Sequence, residues 1–286
     1  MVGNTLTDSM KAHLTVDMEG IAGIAHEDQT EAKDADFARA RKLMTDEVRA
    51  AIEGAKAGGA KEVVVCDAHD TGRNILFEEL DSDVVVIEGT PYDLGMMAGI
   101  SEEFDASFQI GYHAMRDTHA GTIGHTYTYA FAKLRLNGVL LGESGLSAAI
   151  AGHFGVPVVM VSGDLHAVKQ AQALMPKIVG VPTKEGIGLY GVKTLNPRKA
   201  CEDIRSGAEE AMRRVGEMKP YVVDAPVTME VDFTRTIMAQ RCAQMPMVER
   251  TDDKSVKYQA KDVVDAFRVF DAMSMICSAA RGEGLL

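Results

Sequence analysis

The chain has 286 residues, 46% of them hydrophobic and 25% charged, which is the profile of a soluble globular protein with material for a substantial core. Its formal charge of −12 repels phosphate backbones and excludes a general nucleic-acid binder, while suiting a site that collects divalent cations. The four cysteines, Cys66, Cys201, Cys242 and Cys277, are scattered without a C-x-x-C pair, which argues against a disulfide framework or a thiolate zinc site. No signal-peptide run opens the sequence and no apolar stretch of about 18 residues occurs. A cytoplasmic protein with no membrane span is therefore expected.

The first predicted element is a short apolar strand over 13–16 that ends at Asp17. A helix follows over 34–58, its apolar face formed by Phe37, Ala40, Met44, Val48, Ile52 and Ala55 at three- and four-residue steps, with Gly58-Gly59 as its stop. The β-branched run 62–66 reads as a buried strand. Further strands are predicted over 84–87 and 106–112, and a hairpin over 126–136 and 139–141 turned at Asn137-Gly138. A small-residue helix over 147–154, a strand over 156–161 and a helix capped near Asp164 continue the alternation. After it come a glycine-rich turn at 186–191 and a helix over 197–215. The last predicted elements are a strand over 227–232 and a helix over 261–280.

Strands alternating with helices predict an α/β fold with a mostly parallel sheet flanked by helices. We expect a metal-binding catalytic α/β domain over 13–180 and a smaller α+β portion over 181–286.

The chemistry collects at strand ends. Asp17 and Glu19 lie two apart on extended backbone, so both carboxylates aim at one face and need a cation or a shared proton between them. Strand 62–66 runs into Asp67-Ala68-His69-Asp70, strand 106–112 into His113, and strand 139–141 into Gly142-Glu143. Ligands of open α/β sheets bind outside the carboxyl ends of strands, so Asp17, Glu19, His69, His113 and Glu143 are expected together. Imidazole mixed with carboxylate suits zinc. Five ligands exceed one catalytic zinc, and two metals about 3.5–4 Å apart sharing a carboxylate, with Asp17 as the bridge, account for the excess. His125 opens the next element as a candidate proton shuttle or oxyanion stabiliser, with His119 as its local rival. His13, His26, His153 and His166 are expected to be structural or surface residues.

Several patterns are decoys. Gly186-Ile187-Gly188-Leu189-Tyr190-Gly191 matches G-x-G-x-x-G, but 181–185 is a poor buried strand and the acidic residues that follow lie inside a helix, so a turn is expected. Gly142-Glu143-Ser144-Gly145-Leu146 lacks the second glycine of a nucleophile elbow.

Taken together, Thr15-Val16-Asp17-Met18-Glu19-Gly20-Ile21, Asp67-Ala68-His69, Gly111-Tyr112-His113-Ala114, Gly124-His125 and Leu141-Gly142-Glu143-Ser144-Gly145-Leu146 resemble the DppA-type zinc-dependent D-aminopeptidases. Val156-Pro157, Gly163-Asp164 and Tyr258-Gln259-Ala260-Lys261-Asp262 extend the resemblance. It implies a hydrolase with two Zn2+ per subunit that removes the N-terminal residue of short peptides, some members preferring D-residues. It assigns Asp17, Glu19, His69, His113 and Glu143 as metal ligands and His125 as the catalytic histidine. It also implies a homo-oligomer, a decameric ring whose sites face the interior. The rival readings are a two-metal phosphoesterase, disfavoured by sparse Lys and Arg near the motifs, and a non-catalytic metal-binding ring protein.

Overall fold

The computed structural model describes residues 9–90 and 93–282, the side chains of 280–282 excepted. The N-terminal residues read above as free of a signal-peptide run lie, up to residue 8, outside the described residues. The elements, in chain order, are β1 (Met10–Val16), α1 (Phe37–Gly58), β2 (Ala60–Asp67), β3 (Val85–Ile87), β4 (Ala106–Tyr112), β5 (Phe131–Leu136) and β6 (Val139–Leu141). They continue with α2 (Glu143–His153), β7 (Val158–Asp164), α3 (Leu165–Leu174), β8 (Val179–Gly188), β9 (Gly191–Thr194) and α4 (Pro197–Arg213). The last are β10 (Val227–Phe233), α5 (Thr236–Cys242), β11 (Glu249–Arg250), β12 (Ser255–Ala260) and α6 (Val263–Gly282).

A seven-stranded sheet runs in the order β3-β2-β1-β4-β7-β8-β9, parallel except for β9, which turns back along β8. From β1 the chain winds first to β2 and β3 on one side and then to β4 and β7 on the other. The topological switch point therefore lies between β1 and β4, where a crevice opens at the strands' carboxyl ends. A second sheet, antiparallel throughout, has the order β11-β12-β10-β5-β6. One apolar core joins β1, β2 and β4 to α1 and α4. The other fills the space around α2, α3, the second sheet and α6. The mostly parallel sheet flanked by helices is thus as the alternation predicts.

Local chemistry explains most boundaries. Gly59, at φ +122°, stops α1, and Asp164 and Asn196 cap α3 and α4 by accepting from the backbone N–H two residues on. The carboxylate of Asp34 accepts from Asp36 N–H, making a turn that delays α1 to Phe37.

Three expectations need correction. Residues 126–130 form turns with an isolated bridge between Thr126 and Thr128, so β5 starts only at Phe131. The stretch 181–185 is strand after all: Val181, Thr183 and Lys184 are buried in β8, and the G-x-G-x-x-G run is the tip of the β8–β9 hairpin. Finally β6 belongs to the second sheet, and Glu143 is the first residue of α2 rather than the end of a parallel strand. The predicted hairpin of β5 and β6 is present, but the sheet that it joins is set by the pairing of β5 with the distant β10, which is why sequence alone grouped the end of β6 with the parallel strand ends.

Candidate metal centre

The crevice at the switch point receives every sequence-predicted site residue. Asp17 and Glu19 leave the end of β1, His69 follows β2, His113 follows β4, and Glu143 opens α2. All five are buried. Asp17 Oδ1 lies 3.4 Å from His69 Nδ1 and its Oδ2 3.5 Å from His113 Nε2, so one carboxylate faces both imidazoles. Glu19 Oε2 is 3.0 Å from His69 Nδ1, and Glu143 Oε1 is 3.2 Å from His113 Nε2.

Backbone contacts explain the convergence. Asp17 N–H donates to the Ile110 carbonyl and Gly20 N–H to the Gly111 carbonyl, which laces the end of β1 to the end of β4. That lacing has no room for side chains. A Cβ at Gly20 would collide with the carbonyl of Tyr112, and one at Gly111, where φ is +71°, with the carbonyl of Asp17. On the other side, β8 grips the same segment. Lys184 Nζ donates to the carbonyls of Glu19 and, at 2.7 Å, Ile24, and Thr183 Oγ1 donates to the Gly20 carbonyl at 3.1 Å. Glu47 of α1 accepts from Ala22 N–H.

Each imidazole is oriented by a bond on its far side, the arrangement that fixes tautomer and aim in metal sites. His69 Nε2 donates to the Thr30 carbonyl, leaving Nδ1 for the crevice. His113 Nδ1 donates to the Ala114 carbonyl, and His125 Nδ1 to the Ile123 carbonyl, leaving each Nε2 facing inward. The His69 loop is clamped by Asp67, which accepts from Asn74 and Ile75 N–H and from the Asn74 amide. Glu143 is aimed by Tyr127 N–H at 2.6 Å, and Gln109 of β4 donates to the Ser144 carbonyl, pinning the first turn of α2.

The electrostatics follow from burial and proximity. Burial, reinforced by Glu19, pushes Asp17 up from the usual carboxylate range. Burial acts in the same sense on Glu19 and Glu143, but His69 and His113 respectively outweigh it and hold them low. Burial also disfavours charge on His69 and His113, yet their carboxylate neighbours prevail and raise both. His125 behaves oppositely: burial, then the charge of His113, lowers it. Three buried acids converging on one point therefore favour a positive charge between them. Asp17 Oδ2, Glu19 Oε2 and His113 Nε2 are buried and make no hydrogen bond. Inward-facing atoms of Asp17, Glu19 and His113, and those of His113, His125 and Glu143, lie within 4.8 Å of one another. Orphaned donor atoms of this hard and borderline mixture fit divalent zinc.

His125 stacks on His113 with ring centroids 4.1 Å apart and on Tyr129 at 5.0 Å. It lines a cavity of about 540 Å3 together with Asp17, Glu19, His69 and Glu143, whereas His119 is exposed and does not line it. That volume is in the range of small-molecule sites. Asp271, Ser274 and Ser278 of α6 form part of its wall. Sequence reading missed the clamp of Asp67, the grip of Lys184 and this polar face of α6. Asp67 stands in the same motif as His69, but neither it nor Lys184, set between Thr183 and Glu185 in β8, carries a local pattern that reveals these contacts.

Residues 10–272 match the peptidase M55 family model, described as D-aminopeptidase. The chain belongs to this D-aminopeptidase family. It is 30% identical over 266 residues to the D-aminopeptidase of Bacillus subtilis (strain 168), covering 93% of this chain and 97% of that one. Among solved structures it is similar to the Zn-dependent D-aminopeptidase DppA from Bacillus subtilis, a self-compartmentalizing protease, with TM-score 0.91 and 29% identity over 93% of this chain and 97% of that chain.

Proposed function

We propose that this chain is a dinuclear zinc aminopeptidase that removes the N-terminal residue of short peptides, with selectivity for D-residues. The observation that carries this reading is the convergence of three buried carboxylates and two far-side-anchored imidazoles on one crevice, with three buried donor atoms left bare. Asp17, Glu19 and His69 would hold one ion, and His113 and Glu143 the other. Asp17, whose two oxygens face the two imidazoles, would bridge them.

Divalent zinc held there would supply Lewis acidity toward the scissile carbonyl and would make water more acidic, with a pKa of about 7. His125 moves the proton. Its Nε2 faces the site 3.7 Å from Glu143 Oε1, and burial together with His113 keeps the ring neutral and able to accept. Stacking between His113 and Tyr129 holds the ring in that attitude. The acidic wall, with Glu27, Glu31, Asp70 and Asp271 beyond the candidate ligands, favours a substrate's free ammonium end. No Lys or Arg lines this cavity among the described residues, which speaks against a phosphate ester as substrate.

Among the described residues no helix is long and apolar enough to cross a membrane. By analogy with the self-compartmentalizing DppA relative we propose a homo-oligomer, and the decameric ring and cytoplasmic location remain those that the sequence motifs and scattered cysteines imply.

The test is His125→Ala, assayed on matched D- and L-alanyl dipeptides with metal content measured in parallel. The variant should keep its metal and lose about 10²–10⁴-fold in kcat, the usual worth of a positioned proton donor or acceptor. Near-normal turnover would remove His125 from the chemistry. Bound metal with no turnover in the unmodified protein would favour the non-catalytic reading.

A further inference from the structure

Beside the metal cavity lies a second recess of about 260 Å3, and the two share Thr128, Tyr129 and Ser278 as a common wall. Tyr129 ties them together. Its ring stacks on His125, while its carbonyl accepts from Thr234 Oγ1 at 3.3 Å, and the next residue is Arg235. Arg235 lines the recess and is its only charged lining residue among the described residues.

Two facts set this arginine apart. In a chain of net charge −12, its guanidinium has no carboxylate within ion-pair distance and donates no hydrogen bond among the described residues. The charge of the walls also changes sign from one space to the next. Among the described residues, the metal cavity carries Glu27, Glu31, Asp70 and Asp271 besides the candidate ligands and no cation, and the recess carries Arg235 and no acid.

A peptide with both ends free has the same polarity, an ammonium at one end and a carboxylate at the other. With its N-terminal residue at the metal centre, its chain would run along the shared wall, over Tyr129, towards the recess. A guanidinium offers two parallel N–H donors that match a carboxylate, and it stays charged at any working pH.

We propose that Arg235 forms a subsite for the C-terminal carboxylate of the substrate, which makes this enzyme selective for short peptides with a free C-terminus. The proposal rests on the peptidase reading above and names the substrate class within it. Each residue added to an extended peptide moves the carboxylate about 3.3–3.6 Å further from the scissile bond, so one substrate length should fit best.

The experiment uses the full-length, metal-loaded protein and alanyl di-, tri- and tetrapeptides, each as the free acid and as the C-terminal amide. At the best-fitting length kcat/KM for the acid should exceed that for the amide by about tenfold or more, the worth of one charge-assisted contact, with most of the difference in KM. Arg235→Gln should bring the ratio close to one, Arg235→Glu should reverse it, and Arg235→Lys should restore part of it. Arg235 is exposed, so these changes leave the core intact. A wild-type enzyme indifferent to amidation overturns the proposal, as does a ratio that Arg235→Gln leaves unchanged. If Arg235→Gln breaks the assembly and the ratio stays put, the arginine serves subunit contact and the proposal falls. If the wild type cleaves no peptide of either kind, the peptidase reading falls with it, an outcome distinct from turnover without carboxylate selectivity.

Discussion

Histidines show how far residue type alone is from residue role. His69, His113 and His125 meet at the crevice, while His13, only four residues before Asp17, is wholly buried in the core against Phe104, its Nε2 donating to the Ala98 carbonyl. Burial pushes His13 down to about 4 from 6.5. Unfolded, it takes up a proton below about 6.5, and folded only below about 4. Between those values the unfolded state holds more protons, so stability falls as pH drops through this window and is unaffected by His13 above it. His13→Gln keeps a donor for Ala98 and removes the titration. With metal chelated throughout, urea unfolding at pH 7 and pH 4.5 should show the wild type losing about 2–3 kcal/mol more than the variant. Parallel losses in the two proteins would exclude His13 as the source.

At the scale of elements, what could be read from the sequence was whatever rests on neighbours along the chain. The period of α1, the cap at Asp164 and the strand-end positions of Asp17, His69 and His113 are local, and the structure places them as the pattern predicts. What could not be read is pairing. β6 lies in the second sheet because β5 hydrogen-bonds β10, nearly a hundred residues away in sequence, and Glu143 then reaches the crevice as the start of α2. The role of β8 was hidden for the same reason, since Lys184 acts on carbonyls some 160 residues before it. Lys184 binds no ligand side chain. It holds the backbone from which Glu19 projects, so it sets ligand aim. Lys184→Met has similar length and leaves the Glu19 and Ile24 carbonyls without their buried donor. Such outer partners are worth about 10–100-fold in metal affinity, and that is the loss expected for this variant. A competitive chelator titration, with circular dichroism to confirm folding, measures it. Unchanged zinc affinity in a folded variant would show that the segment 17–24 holds its shape without β8.

For the molecule as a whole, the candidate centre is where its two layers meet. Asp17, Glu19, His69 and His113 come from the parallel sheet, while Glu143 and His125 flank the β5–β6 hairpin of the second sheet. A cation held by both groups ties the layers together, and three buried carboxylates repel one another without it. Anything that binds only the native state stabilises it by mass action, by about 2.7 kcal/mol when free metal is a hundred times its dissociation constant. Chelation should therefore lower the unfolding temperature, and adding zinc back should restore it in proportion to the logarithm of free metal. The loosening should also be local. Hydrogen exchange after chelation should quicken in residues 17–24, 67–75, 124–128 and the first turn of α2, where backbone amides order the site. The middle of β2, paired on both sides, should stay protected. Uniform acceleration would mean that the ions stabilise the fold as a single cooperative unit. No acceleration would mean that hydrogen bonds alone hold the site in shape, and that the layers meet there without help from a metal.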